Sequence, residues 1–217
     1  MTTELKIDFV SDVSCPWCAI GLASLERALE RLEGEVRAEL HFQPFELNPG
    51  MPAGGQDVTE HLTQKYGSTP QQQAQSRDAI RARGAAVGFD FRKEGRGRVY
   101  NTFDAHRLLH WAGAEYPESQ RALKKELLKA YFTHGRSPED REVLLQAAAQ
   151  AGLDPQGARD VLDGGRYAAQ VREREQFYLD HGIHAVPAVI VNDRHLIQGG
   201  QPPEVFEDAL RRIAASA

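Results

Sequence analysis

Residues 11–21 read SDVSCPWCAIG and contain both cysteines of this 217-residue chain, Cys15 and Cys18. The stretch before them, LKIDF at positions 5–9, alternates between apolar and polar side chains, which predicts a β-strand. Two thiols separated by two residues, directly after a strand, have four candidate explanations: chance, a metal site, a structural disulfide and redox chemistry. The rest of the sequence helps to decide between them.

The residues that follow the strand predict a helix from Pro16 to about Leu32. Proline suits the first helical turn, and Gly34 can end the helix. Cys15 falls at the helix start, where unpaired N–H groups and the helix dipole stabilise an anion. Cys18 continues the apolar stripe of the helix, which comprises Cys18, Leu22, Leu25, Leu29 and Leu32. The pattern predicts an exposed nucleophile with a lowered pKa at position 15 and a buried resolving thiol at position 18.

Strand and helix patterns divide the rest of the chain into three parts. The alternating residues 36–47 predict a second strand, parallel to the first. After a Gly/Pro-rich connector, residues 48–56, helical patterns dominate up to about Gly182, with predicted helix starts at Thr69-Pro70, Ser137-Pro138 and Asp154-Pro155. Short strands are predicted in residues 184–193 and 194–200. A final helix in residues 202–215 has an apolar face predicted to comprise Val205, Phe206, Ala209, Leu210 and Ile213.

Charge and the start of the chain bear on location and partners. The chain carries 26 basic and 31 acidic side chains, a formal net charge of −5. This mildly acidic balance gives no global attraction to nucleic acid or to an anionic membrane. The first residues lack the pattern of a secretory signal, and no stretch is apolar enough to span a membrane. We therefore expect a cytoplasmic protein, and structural disulfides are rare in that reducing compartment.

A metal site is a weaker explanation for the cysteine pair. A structural zinc ion needs four ligands, and the chain has no second pair of cysteines. His106 and His110 lie one helical turn apart, as in a two-histidine metal face, but their segment is an ordinary amphipathic helix in which packed or surface histidines are the better interpretation. We predict no metal site. A cysteine pair beside a β-α-β pattern then favours redox chemistry over chance.

Several motifs together carry a resemblance to a known family. SCPWC after a first strand, with AVPAVIV about 170 residues later, resembles the thioredoxin superfamily, and the long helical block between them resembles the DsbA branch. Closer matches are found in SDVSCPWCAIG, FQPFELNP, NTFDAHRLLHWA and HAVPAVIVNDRHLIQGGQPPEVFEDAL. Together they look like the cytoplasmic FrnE-like group of DsbA-family oxidoreductases. The resemblance extends from about Lys6 to Ala214.

The resemblance implies an α/β protein with a thioredoxin-like fold, βαβ … ββα, and a large all-helical insertion as in DsbA. Residues 1–56 and 183–217 are expected to form the thioredoxin-like domain, and residues 57–182 the inserted helical domain. In that family the first cysteine is the nucleophile, the second resolves the mixed disulfide, and a cis-proline loop faces the pair. Carried over to this chain, the implied residues are Cys15, Cys18 and a cis Val186–Pro187 bond.

The active-site loop departs from secreted DsbA proteins at one position. Those proteins typically have histidine between the cysteines, whereas here the dipeptide is Pro16-Trp17. An indole carries no positive charge to stabilise the Cys15 thiolate, so strongly oxidising behaviour is not expected. Trp17 is predicted to be a surface contact beside the reactive thiol.

A second set of polar residues lies in NTFDAHRLLHW, residues 101–111. Asn101 and His106, with Thr102 and Arg107, are candidates for the lining of a groove over Cys15. Asn101 and Thr102 could instead cap a helix, and we favour that interpretation.

The function predicted from these observations is thiol–disulfide oxidoreductase or isomerase activity that reduces or reshuffles disulfides. The substrates would be disulfide-containing proteins or small-molecule thiols, with no nucleic acid or membrane partner. No cofactor is expected beyond the cysteine pair, and glutathione is a candidate reductant. Two alternatives stay open. One is a glutathione-dependent enzyme like the kappa-type transferases or hydroxychromene-carboxylate isomerases, which resemble this chain but have serine where it has cysteine. The other is a non-catalytic accessory protein.

Overall fold

The computed structural model describes residues 2–216, and its first part is the predicted β-α-β unit. Strand β1 (Thr3–Ser11) pairs in parallel with β2 (Val36–Pro44) along the whole length of both strands. The predicted second strand, residues 36–47, is three residues too long. The chain leaves the sheet after β2, and the Leu47 N–H donates to a side chain of the β1–α1 turn instead of to a neighbouring strand.

Helix α1 (Pro16–Arg31) joins these strands, with proline in its first turn and Gly34 at a φ of 85° just beyond its end. A positive φ strains any residue with a side chain, which is why glycine suits this position. Cys18, Leu22, Leu25 and Leu32 are fully buried, and Leu29 packs against the same core. The predicted apolar stripe is therefore confirmed.

The middle of the chain is helical, as predicted. It contains a small antiparallel pair of two-residue strands, β3 (Gln56–Asp57) and β4 (Arg98–Val99), which the sequence analysis did not predict. The helices are α2 (Val58–Tyr66), α3 (Pro70–Val87), α4 (Phe103–Glu115), α5 (Pro117–Phe132), α6 (Arg141–Gln150), α7 (Pro155–Asp163) and α8 (Ala168–Asp180). We call these seven helices and the two short strands the helical segment.

Two of the three predicted helix starts in this segment are confirmed. Thr69 caps α3 through a capping box, and Asp154 caps α7 by accepting from two backbone N–H groups. The prediction for Ser137 is wrong by three residues. Residues 137–140 form a turn. Asp140 caps α6, because its carboxylate accepts from the N–H groups of Glu142 and Val143.

The last part of the chain completes the sheet and covers one of its faces. Strand β5 (Ala188–Val191) runs antiparallel to β1 and to β6 (His195–Gln198), so the sheet order is β2-β1-β5-β6. Both residues of the turn between β5 and β6, Asn192 and Asp193, have positive φ angles, as tight hairpin turns require.

Helix α9 (Pro203–Ala215) packs against α1 and the sheet. Its Phe206, Leu210 and Ile213 are buried as predicted. Val205, which was predicted on the same apolar face, is 42% exposed and does not share this burial. It lies at one edge of the apolar stripe, where α9 faces solvent.

The sheet and the helical segment share one apolar core around the cysteines. Cys15 and Cys18 belong to a buried cluster that also includes side chains from β1, α9 and α5. On the outside, Glu26 of α1 accepts from Arg121 and Lys125 of α5 at 2.6 and 2.9 Å. These contacts fix α5 across α1, and α1 is the helix that carries the thiols.

Candidate active site

Cys15 is the residue that begins α1. It is the N-cap, with an extended backbone, and its side chain makes no capping hydrogen bond. Its carbonyl accepts the Cys18 N–H at 3.1 Å, and its own N–H donates to the Asp12 carbonyl at 3.3 Å. The Cys15 side chain is therefore held beside the free N–H groups of the first helical turn, where a thiolate is stabilised.

The predicted exposure of Cys15 is wrong. Cys15 is 4% exposed and Cys18 is fully buried, and both are free thiols. The backbone just before β5 covers the first thiol. Cys15 Sγ lies 3.6 Å from the Val186 carbonyl oxygen. The Val186–Pro187 peptide bond is cis, which confirms the conformation expected from the family resemblance.

The two thiols differ in acidity. The hydrogen bond from the Cys18 thiol lowers the pKa of Cys15, and it outweighs burial, with help from the backbone N–H groups of Cys18 and Trp17. Burial raises the pKa of Cys18 well above its ordinary value, and the neighbouring Cys15 adds to that increase. The positive charge of Lys124 acts against it. The first thiol is therefore the one that ionises.

A buried carboxylate lies in the turn directly before Cys15. Asp12 is fully buried and accepts hydrogen bonds from Ser14 N–H at 3.0 Å, Ser14 Oγ at 2.9 Å and Leu47 N–H at 2.7 Å. His106 Nε2 lies 3.5 Å from Asp12 Oδ1, which is too long for a strong hydrogen bond. Burial acts to raise the pKa of Asp12, but His106 and these backbone donors outweigh it and hold the pKa at about 2.

Lys124 of α5 is the second fully buried charged group of the site. Its side chain is completely inaccessible, and Nζ has no hydrogen-bond partner within residues 2–216. Burial lowers its pKa, while the charges of Cys18, Asp12 and Cys15 act in the opposite direction. A lysine is rarely buried in this way without a partner. Lys124 is coupled electrostatically to the thiols and to Asp12 across the core.

Two glycines allow the loops of the site to approach α1. A Cβ added to Gly200 would lie 2.9 Å from the Trp17 carbonyl oxygen, and one added to Gly21 would lie 3.0 Å from Pro187 Cγ. Both spacings are shorter than ordinary carbon contacts. The Cys15 end of the helix is thus packed directly against the Pro187 loop and the segment after β6. Trp17 itself is 37% exposed, consistent with the predicted surface contact.

The candidate groove residues in NTFDAHRLLHW, residues 101–111, contact other parts of the fold. Asn101 Oδ1 accepts the Phe103 N–H at 2.9 Å, so the favoured capping interpretation holds for Asn101, whereas the Thr102 side chain makes no such bond. His106 is 1% exposed and faces Asp12 beneath the active-site turn, so it does not line an open groove. Arg107 is also buried and donates to backbone carbonyls in the last turn of α7 and in the α7–α8 connection.

The described residues offer no metal centre. Among residues 2–216, no three histidine, cysteine or acidic side chains are grouped as ligands. His110 stacks on the Tyr167 ring at 5.2 Å, while His106 contacts Asp12. In the same range, no helix is long and apolar enough to cross a membrane.

Sequence analysis identified the thiols and missed the charged groups behind them. Asp12 lies in the stretch SDVSCPWCAIG, three residues before Cys15, and this nearness to the nucleophile could have indicated its role. Lys124 had none, because Lys124 and Lys125 are adjacent in one amphipathic helix and only the structure shows that the first is buried and the second ion-paired at the surface. Gly21 and Gly200 lie within the segments that carry the family resemblance, but their close approach to other loops was not predicted.

Comparisons with known proteins agree with this geometry. A curated relative, the uncharacterized protein YwbO of Bacillus subtilis strain 168, is 26% identical over 223 residues, covering 97% of this chain and 96% of that protein. The crystal structure of a probable DsbA oxidoreductase from Streptomyces coelicolor is 35% identical, with a TM-score of 0.87 over 98% of this chain and 90% of that one.

More distant similarity extends to the cytosolic disulfide reductase DsbM of Pseudomonas aeruginosa with GSH. That chain is 18% identical, with a TM-score of 0.65 over 97% of this chain and 99% of its own, and it shares the fold. A family model described as the DSBA-like thioredoxin domain matches residues 6–211. The protein therefore belongs to the DsbA-like thioredoxin-fold family, whose members are thiol–disulfide oxidoreductases.

Proposed function

We propose that this protein reduces or reshuffles disulfides with Cys15 as the nucleophile and Cys18 as the resolving thiol. The observation that carries the proposal is the contrast between the two thiols. The pKa of Cys15 is lowered at the start of α1, and the pKa of Cys18 is raised by burial one turn further. Only the thiolate form attacks a disulfide, so the order of the two steps follows from this contrast.

The proposed reaction has two balanced exchanges. The Cys15 thiolate attacks one sulfur of the substrate disulfide, forms a mixed disulfide and releases the first substrate thiolate. Cys18 then loses its proton and attacks Cys15 Sγ, which forms the Cys15–Cys18 disulfide and releases the second thiolate. The substrate gains two electrons and the protein loses two. The Val186 carbonyl beside Cys15 Sγ supports backbone pairing with an extended substrate.

A thiol reductant must restore the dithiol after each turnover, and glutathione is our candidate. This choice is supported by DsbM, which is described as a cytosolic disulfide reductase and was solved with GSH. We also propose a cytoplasmic location on this ground and expect no further cofactor. In a reducing compartment the pair would rest mainly as dithiol and act on disulfides of proteins or small molecules.

The test compares the wild type with two single variants in the reduction of insulin by dithiothreitol. Cys15→Ser is expected to remove the acceleration completely, because no nucleophile remains. Reduced Cys18→Ser, freed of dithiothreitol and then mixed with insulin, is expected to form a stable mixed disulfide at Cys15, since the protein has no second thiol to release it, and intact mass would show the adduct. Normal activity of Cys15→Ser would overturn the proposal. An adduct that maps to Cys18 in the wild type would also overturn it.

A further inference from the structure

A cavity opens beside the cysteine pair, between the start of α1 and the helical segment. Pro16 forms part of its wall, and its apolar lining is made by Val58, Leu62, Ile80, Phe91 and Phe132. Its free volume is about 110 Å³. This is somewhat smaller than the roughly 150 Å³ of an engineered cavity that binds benzene. The cavity is open on one side, so it can accept one ring or branched side chain that protrudes from it.

Four arginines also line this cavity: Arg77 and Arg81 from α3, and Arg92 and Arg96 from the loop before β4. No acidic side chain is part of the lining. We call the cavity with these four residues the arginine pocket. A concave apolar surface with several guanidinium groups and no carboxylate attracts an anion with an apolar body.

The arginines are only partly neutralised by neighbours. Arg81 lies 3.9 Å from Asp78, and Arg92 lies 3.5 Å from Glu94, both long contacts with exposed carboxylates. Arg77 and Arg96 have no carboxylate within ion-pair distance among residues 2–216. Guanidinium groups bind carboxylates through two parallel hydrogen bonds, so these positions suit a carboxylate ligand.

Arg96 connects the pocket to the nucleophile. Its guanidinium donates to the Ser14 carbonyl oxygen at 2.6 Å, directly before Cys15. Pro16, which lines the pocket, directly follows Cys15. A group seated in the arginine pocket therefore lies against the residue that follows Cys15, close to the turn that holds the nucleophile.

We propose that the arginine pocket binds the half of a small-molecule disulfide substrate that carries a carboxylate on an apolar body. This inference rests on the proposed function and adds the substrate class to it. The apolar body occupies the cavity, the carboxylate meets Arg77 and Arg81 at the opening, and the adjacent disulfide faces Cys15.

Two chromogenic aromatic disulfides test the preference for a carboxylate. 5,5′-Dithiobis(2-nitrobenzoate) carries one carboxylate on each ring, and 4,4′-dithiodipyridine carries none. Reduced protein is mixed with each compound in a single turnover, and the ratio of the two second-order rate constants is measured. The double substitution Arg77→Gln and Arg81→Gln should lower the anionic-to-neutral ratio about tenfold, the size expected for loss of charge-assisted hydrogen bonds. Added salt should lower the wild-type ratio.

Lys93→Gln is the matched control. Lys93 is exposed in the same loop as Arg92 and Arg96 and does not line the pocket. The Lys93→Gln substitution removes one positive charge from the same region. It should leave the anionic-to-neutral rate ratio within about twofold of the wild-type value, as expected for an exposed charge. The inference is overturned if the double variant keeps the wild-type ratio, or if Lys93→Gln lowers the ratio as much as the double variant does.

A binding measurement separates failure of this inference from failure of the proposed function. The thioether 5-(methylthio)-2-nitrobenzoate cannot exchange, and its binding to the wild type and the double variant is measured by calorimetry. If the wild type reduces neither disulfide, the proposed function fails, and binding of the thioether still decides the pocket. Binding that the double variant weakens about tenfold supports the inference. Absent binding, or binding that is equal in both proteins, refutes it.

Discussion

The sheet with α1 and the helical segment contribute different parts of the active site. The sheet part supplies the thiols, because Cys15 ends the turn between β1 and α1 and Cys18 lies in α1. The Val186 carbonyl before β5 covers Cys15. The helical segment supplies basic side chains: His106 from α4, Lys124 from α5, and the arginine beside the Ser14 carbonyl. The chemistry therefore lies in the sheet part, while much of its electrostatic environment comes from the helices that cross it.

The pKa values of the two thiols are accordingly set by different regions of the molecule. The pKa of Cys15 is lowered mainly from within its own turn, by the Cys18 thiol and backbone N–H groups. The pKa of Cys18 is raised by burial, and the opposing charge comes from Lys124 of another helix. Substitutions in the two regions should accordingly affect different steps of disulfide exchange.

The largest effect is expected where the two regions meet, at Asp12. Asp12→Asn should lower the free energy of unfolding at pH 7 by about 2–4 kcal/mol, because a hydrogen-bonded buried carboxylate is lost. The pKa of Asp12 falls from an ordinary 3.8 to about 2 on folding. Its stabilisation is therefore complete above pH 3.8 and disappears as the pH falls through that value towards about 2.

Urea unfolding at several pH values measures this effect. Asp208→Asn on α9 is the matched control, since that carboxylate is 68% exposed and paired only with Arg212. The control should change stability by less than about 1 kcal/mol. If Asp12→Asn kept both the stability and its acid dependence below pH 4, Asp12 would not be the ionised, stabilising group described above.

Gly200→Ala tests the close packing within the sheet part. A methyl group there would press on the Trp17 carbonyl oxygen at 2.9 Å. We expect a loss of about 2 kcal/mol, as for other overpacked positions, together with slower disulfide exchange. Gly165→Ala is the control, because a Cβ there meets no atom within 4 Å and its φ is not positive. Equal stability of the two variants would show that the segment after β6 moves away from α1 without a loss of free energy of unfolding.

Lys124→Met tests the contribution of the helical segment to the second step. Without this charge the pKa of Cys18 should rise further, and release of the mixed disulfide near neutral pH should slow severalfold, because a smaller fraction of Cys18 is ionised. The pH profile of that step should move to higher pH, while the first attack by Cys15 changes less. Rapid-mixing kinetics of the two thiolates released from an aromatic disulfide resolves both steps.

Lys129→Met on the same helix removes a 47% exposed lysine that pairs with Glu126. It should leave both steps unchanged. An identical pH profile for Lys124→Met and the wild type would mean that Lys124 has only a structural role.

The smallest expected effect concerns Trp17, which lies between the thiols and has the Arg83 guanidinium 5.7 Å above its ring. Trp17→His should place a titratable donor near the Cys15 thiolate and raise the reduction potential by about 20 mV, roughly 1 kcal/mol. Equilibration in glutathione buffers gives the fraction oxidised. The wild-type potential should lie nearer the about −270 mV of thioredoxin than the about −120 mV of DsbA. An unchanged potential in the variant would point to another group as the control of Cys15.

The parts of the fold that follow local patterns could be predicted from sequence. The alternating residues of β1, the stripe of α1 and the caps Thr69 and Asp154 all have short-range signals that the structure confirms. Ser137 shows the limit of such signals, because a serine followed by proline can begin a turn as well as a helix. The predicted division of the chain at residues 56 and 183 stays a prediction.

The candidate active site was predictable only where a motif marks it. Cys15, Cys18 and Pro187 stand in recognisable stretches, whereas the burial of Cys15 depends on a loop 171 residues away. Lys124 illustrates the same limit, since its environment is created by packing of α5 across α1. Long-range packing of this kind leaves no periodic signal in the chain.

The central claim is that the two thiols have different acidities, with Cys15 the one that ionises. The most direct measurement is a pH titration of thiolate absorbance in the reduced wild type and in Cys18→Ala, with alkylation and peptide mapping to assign the reactive residue. We predict one thiolate, mapped to Cys15, with a pKa below the ordinary value of about 8.5, and a higher pKa for Cys15 in Cys18→Ala because its main hydrogen bond is gone. Two thiols that titrate together near about 8.5, or a first alkylation at Cys18, would contradict the account.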